Sequence, residues 1–227
     1  MGSPMKSRSF LLACMLLLAV TCVSTRLLAD SLCQTDHSVY QYQPCGTEAA
    51  QNIFPVKNSG VGLIGDFQGA SADFSDSVQA LVWRGNELVY TGAFSPTNQQ
   101  LKQYDTFTLV PTGIVQAGDQ VEFVLSVDDV NGHQLYYSQH LNQNIDGLNH
   151  TWATAMNADQ CDPNMQGGCA FLGFEDLPQG EGSDLDYNDF KMWVYGVNVV
   201  QFPEPSTIVL LTGAPIAFLA SKFRNLL

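Results

Sequence analysis

Basic residues are nearly absent from the middle of this chain. Only Lys57, Arg84, Lys102 and Lys191 lie between Asp30 and Glu204, against all 22 acids, so that stretch carries four positive charges and 22 negative ones, or −18. Holding a phosphate backbone takes a basic surface, which excludes nucleic acid as a partner and makes cations the favoured ligands. Cysteines at CxxC spacing and clustered histidines are also missing, which argues against a zinc site. His37, His133, His140 and His150 stand without a nucleophile motif or a Ser-His-Asp order around them. No interior segment keeps a helical period over twelve residues, and no internal repeat or low-complexity tract is visible.

What the interior does contain is strand after strand. Segments 61–67, 78–84, 88–94, 106–110, 121–127, 134–139, 151–156 and 190–200 are short and rich in β-branched and aromatic residues. Turn signals separate them: Gly85-Asn86, Pro96-Thr97-Asn98, Ala117-Gly118-Asp119 and Asn131-Gly132. Segment 121–127 alternates for part of its length, as a half-buried strand does. Asp128 and Asp129, just before Asn131-Gly132, read as turn chemistry. Regular strand–turn spacing predicts an all-β fold, an antiparallel β-sandwich or jelly-roll. About 175 residues suffice for one domain with a sizeable core.

The two ends read differently. Lys6 and Arg8 precede an apolar run over 10–23, about the length of a signal-peptide h-region and too short for a comfortable membrane span. Cleavage is expected after Ser24 or after Ala29, the latter preferred. Leu11-Leu12-Ala13-Cys14 looks like a lipobox but opens the apolar run, where a lipobox closes it. At the other end, Pro203-Glu204-Pro205-Ser206-Thr207 leads into an apolar stretch over 208–220, followed at once by Lys222 and Arg224. A thirteen-residue apolar run containing a proline is a marginal anchor, and the basic residues favour a cytoplasmic tail.

This order of Pro-Glu-Pro, short apolar helix and basic tail resembles the PEP-CTERM sorting signal of environmental bacteria. The resemblance implies recognition by an exosortase, cleavage near Pro203, Glu204 and Pro205, and release to the outer surface or exopolysaccharide after transient anchoring in the inner membrane. The expected organisation is a signal peptide over 1–29, a lead-in over 30–54, a β-sandwich over 55–201 and the sorting signal with its short transmembrane helix over 202–227.

Cys14 and Cys22 would leave with the signal peptide, so four cysteines remain: Cys33, Cys45, Cys161 and Cys169. An even number in an exported chain suggests two disulfides. Three pairings are possible. The local ones, Cys33–Cys45 and Cys161–Cys169, are favoured because each closes a short polar loop, the first clamping the lead-in.

One segment stands apart. From 173 to 190 the chain reads GFEDLPQGEGSDLDYNDF, with six carboxylates and no base. Asp184, Asp186 and Asn188 alternate, so an extended or looped backbone would set their oxygens on one side. Carboxylates held that close repel unless a cation joins them. Calcium takes six to eight oxygen ligands, and Glu175, Asp176, Asp184, Asp186, Asn188 and Asp189 offer that set, while the glycines let the chain curl. The loop is not an EF-hand. Counting from Asp184, position six is Asp189 rather than Gly, position twelve is Tyr195 rather than Glu, and a strand follows. The competing reading is a solvated turn whose Asp and Asn cap backbone N–H groups.

Gly-Phe-Glu-Asp-Leu-Pro followed by Ser-Asp-Leu-Asp-Tyr-Asn-Asp-Phe also resembles the signature of an uncharacterised bacterial surface domain, found in exported and adhesin-like proteins. The resemblance implies a β-rich extracellular module with a calcium loop and no known enzymatic activity. It carries over to Glu175, Asp176, Asp184, Asp186, Asn188 and Asp189, and weakly to Glu181. The expected function is that of an exported, non-catalytic surface or matrix protein, with no catalytic residue. Its expected partners are the exosortase machinery and exopolysaccharide, and it meets the membrane only through its anchor. A carbohydrate-binding module using Trp83, Trp152 and Trp193 is the first alternative, and a glycoside hydrolase the second.

Overall fold

A strand with one face in the core repeats its apolar side chains every second residue. Val121, Phe123, Leu125 and Val127 do so in β6 (Gln120–Asp129), as do Val78, Ala80 and Val82 in β3 (Ser75–Arg84), and all seven are buried in one core. The chain is seen in a computed structural model that describes residues 48–129, 132–156, 161, 168–179, 183 and 185–201. The remaining strands are β1 (Asn52–Pro55), β2 (Leu63–Gly69), β4 (Glu87–Thr91), β5 (Thr106–Val110), β7 (Gly132–Tyr137), β8 (Thr151–Ala155), β9 (Cys169–Phe174), β10 (Phe190–Tyr195) and β11 (Val200–Gln201). The one helical turn among the described residues is a 3-10 turn, Leu141–Gln143.

The strands form two antiparallel sheets. One runs β11-β1-β6-β3-β4, with β7 also paired to β6, and the other runs β5-β2-β10-β9-β8. The fold is therefore all-β, as the strand–turn spacing predicts. Phe54, Val82 and Phe123 from the first sheet pack with Leu63, Leu172, Phe174, Phe190 and Met192 from the second, so the sheets face each other like a sandwich. Phe54 meets Phe123 edge-on at 4.9 Å, and Phe67 meets Phe190 at 5.0 Å.

Segment 106–110 coincides with β5, and Asp129 pairs with Gly132 to close the β6–β7 hairpin. The long segment 190–200 is instead divided into β10 and β11. Gly196 stands between them at φ 97°, where an added Cβ would lie 2.7 Å from Leu63 Cδ2. That left-handed, crowded position suits glycine alone. Strand β9 has no counterpart in the sequence reading because all six residues are buried, so no alternation shows. Its second face lies under a smaller cluster of Ala49, Trp152, Phe171, Leu185 and Tyr187. Strand β1 begins inside the segment read as the lead-in.

Cys161 and Cys169 form a disulfide, Cα–Cα 5.9 Å, at the start of β9. Cys33 and Cys45, the signal-peptide segment, and the sorting motif at Pro203, Glu204 and Pro205 lie outside the described residues. Among those described, no helix is long and apolar enough to cross a membrane.

Candidate metal centre

The acidic segment joins β9 to β10, which pair directly: Phe174 lies opposite Phe190. Glu175 and Asp176 leave β9, and Asp189 enters β10. The Glu175 N–H donates to the His150 carbonyl at 3.0 Å, and the Asp189 N–H to the Phe174 carbonyl at 3.1 Å, so both ends of the loop extend the ladder. His150 fastens this corner. Its Nδ1 lies 2.9 Å from the Glu175 carbonyl, its Nε2 3.2 Å from both Asp146 carboxylate oxygens, and its ring stacks on Tyr136 at 3.9 Å.

The loop then folds back over the outer face of its own sheet. Leu185 and Tyr187 have φ of 52° and 55° and turn their side chains into the smaller cluster. The Tyr187 hydroxyl accepts from the Ala49 N–H at 2.7 Å and donates to the Asn149 carbonyl at 3.0 Å. A Cβ on Gly173 would overlap the Tyr187 carbonyl, so only glycine allows this approach.

Glu175, Asp176 and Asp189 come together, each offering one carboxylate oxygen, all within 4.8 Å of one another. The Asp176 N–H donates to Asp189 Oδ2 at 3.0 Å, which fixes the pair's geometry. Asp186 and Asn188 turn toward each other: the Asn188 N–H donates to Asp186 Oδ1 at 3.1 Å, and the Asn188 side-chain amide donates to Oδ2. Asp184 and Glu181 lie outside the described residues.

Sequence reasoning missed a further carboxylate. Asp76 is the second residue of β3, in the opposite sheet, and is fully buried. Two-residue spacing puts it on the face of Val78, Ala80 and Val82, turned toward the second sheet. An acid in the core phase of a strand is the available signal, but the apolar pattern starts that strand at Val78. The Asp76 N–H donates to Asn98 Oδ1 at 3.0 Å, and Asn98 Nδ2 donates to Asp76 Oδ2 at 3.2 Å.

The electrostatics are those of crowded acids. Burial, then the charges of Asp189 and Asp128, push Asp76 up to about 7. Burial, then Asp189, Asp76 and Glu175, push Asp176 well above the carboxylate range. Asp76 Oδ1 and Asp176 Oδ2 are buried without a hydrogen-bond partner.

Other buried acids are satisfied, and the contrast is informative. Glu122, fully buried in β6, receives Trp83 Nε1 at 3.1 Å, the Gln139 N–H at 3.3 Å and the His140 N–H at 2.8 Å, with His140 Nδ1 at 2.7 Å. Asp119 is gripped by Arg84 through two bonds of 2.9 Å. Leaving a buried oxygen unmade costs about 1–3 kcal/mol, more for a charge, and Asp76 and Asp176 each carry such an oxygen.

The three tryptophans do not form one row. Trp152 is buried against Phe171, whereas half-buried Trp83 and Trp193 belong to β3 and β10 of different sheets.

Residues 115–196 match a family described as a domain of unknown function, DUF4114. That span covers β6 to β10 with the whole acidic loop, and leaves out β1 to β5 and Asp76. No curated protein and no solved structure matches the chain.

Proposed function

We propose that this is an exported, non-catalytic surface or matrix module whose acidic corner binds Ca²⁺. One observation carries the calcium reading: Glu175, Asp176 and Asp189 hold carboxylate oxygens within 4.8 Å of one another. Oxygens bound to one calcium at 2.3–2.6 Å necessarily lie no further apart than about 5 Å. Burial supports an ion over a sugar. Glu175 and Asp176 are 2% and 4% exposed, too enclosed for a polysaccharide to reach, while half-buried Asp189 leaves a way in for an ion. That weighs against a glycoside hydrolase, and the scattered tryptophans weigh against a stacking platform.

Calcium titration with thermal melting tests the reading. At free Ca²⁺ a hundredfold above the dissociation constant, stabilisation is about 2.7 kcal/mol, and for a domain of this size Tm rises by roughly 5–10 °C. Asp189→Asn should remove most of that rise, and Mg²⁺, which demands a tighter octahedral shell, should do less. A Tm indifferent to both chelator and millimolar calcium would defeat it.

Export and sorting rest on the ends. The signal-peptide pattern, the sorting motif and the Cys161–Cys169 disulfide fit one route to the cell surface, with exosortase as processing partner, exopolysaccharide as destination and Cys33 expected to pair with Cys45. Protein recovered from the native host's surface should end near Pro203–Ser206 by intact mass. Recovery there of chains retaining 208–227 would overturn the processing.

A further inference from the structure

We propose that Asp76 is a ligand of the same ion, so that calcium staples the two sheets together at this end of the sandwich. The proposal rests on the calcium reading above. Glu175, Asp176 and Asp189 all belong to the sheet of β9 and β10, whereas Asp76 belongs to that of β3 and β6. Core phase points Asp76 across the gap. Asp176, two residues beyond Phe174, continues the phase of Ala170, Leu172 and Phe174 and faces the same gap from the other side.

Both side chains are buried, Asp76 fully and Asp176 at 4% exposure, and each keeps one oxygen without a partner. Asn98 grips the other Asp76 oxygen and that residue's backbone N–H, so Oδ1 is the atom left to donate to an ion. The Ser71 N–H donates to the Asn188 carbonyl at 3.1 Å, which carries the β2–β10 pairing past Gly69 to the edge of the acidic loop. Glu122 shows how this fold satisfies a structural carboxylate, with N–H groups on both oxygens. Asp76 has no such complement, and a divalent cation supplies what the protein withholds. Four carboxylates would give the site a formal charge of −4, more than enough to hold Ca²⁺ against hydration.

The test compares the full-length protein with Asp76→Asn and Asp189→Asn by Ca²⁺ calorimetry and by melting in chelator and in calcium. Asp76→Asn should weaken Ca²⁺ binding at least tenfold and shrink the calcium-induced rise in Tm. In chelator at pH 8 it should melt no lower than wild type, because the isosteric amide removes a buried charge from among its like. That opposite pair of signs would not arise from a structural role. If wild type binds no calcium, the calcium reading itself fails and this inference goes with it. If wild type binds, Asp189→Asn weakens binding and Asp76→Asn stays within twofold of wild type, the cross-sheet ligand alone is overturned. A variant that melts lower in chelator yet keeps the full calcium rise makes Asp76 structural and overturns it equally.

Discussion

Single residues decide whether the acidic corner can exist at all. The loop returns over β9 only because Gly173 has no side chain, and it is pinned by one phenol. Tyr187 satisfies both the Ala49 N–H and the Asn149 carbonyl, and burial with neighbouring carboxylates drives its own ionisation upward. Tyr187→Phe keeps the ring in its cluster but strands two backbone groups. The expected loss is about 1–3 kcal/mol of unfolding free energy, read by urea denaturation with calcium absent so that ligand linkage does not mask it. A loss below about 0.5 kcal/mol would mean that water takes over both bonds. At this scale the sequence was legible in residue type and silent on partners. Glu175, Asp176 and Asp189 could be singled out as acids without bases. Nothing local distinguishes them from Asp186, which spends its oxygens on Asn188.

At the scale of elements, legibility followed the chemistry of a strand's second face. Strand β5 keeps exposed threonines on one face, whereas β6, buried on both faces, alternates because Glu122 and Ser126 share its second face; the reading at 106–110 and 121–127 falls on them. Strand β9 does not alternate, because the main core covers one face and the Trp152–Tyr187 cluster the other. Its hydrophobicity is continuous and short, which periodicity cannot tell from a loop's apolar anchor. The cysteine count allowed three pairings, and the local bridge Cys161–Cys169 is the one the described residues contain. It closes a loop of about nine residues, so its contribution by restriction of the unfolded chain is about 2–3 kcal/mol. The bridge thereby secures the entry to a central strand that sequence pattern alone did not reveal.

The whole molecule sets the balance between metal and proton. Without calcium, Asp76 and Asp176 hold their protons far more tightly when folded than when unfolded. The folded state therefore binds more protons than the unfolded one, and stability falls with rising pH. The advantage is fully present below about pH 4 and, for Asp76, is lost as pH climbs through about 7. Metal-free protein should accordingly be more stable at pH 5 than at pH 8, by on the order of 3 kcal/mol from Asp76 alone. Saturating calcium, by replacing the protons, should flatten that slope. Urea titrations at the two pH values with and without calcium measure both, and a metal-free protein more stable at pH 8 would refute the picture. By itself the sequence determined that the chain is a strand-built, strongly acidic domain with a base-free carboxylate loop, because period, composition and charge are local properties. Only the tertiary structure decided that Asp76, about a hundred residues upstream, confronts that loop. Burial in a core shared by two sheets depends on which strands face each other, and no local pattern encodes that.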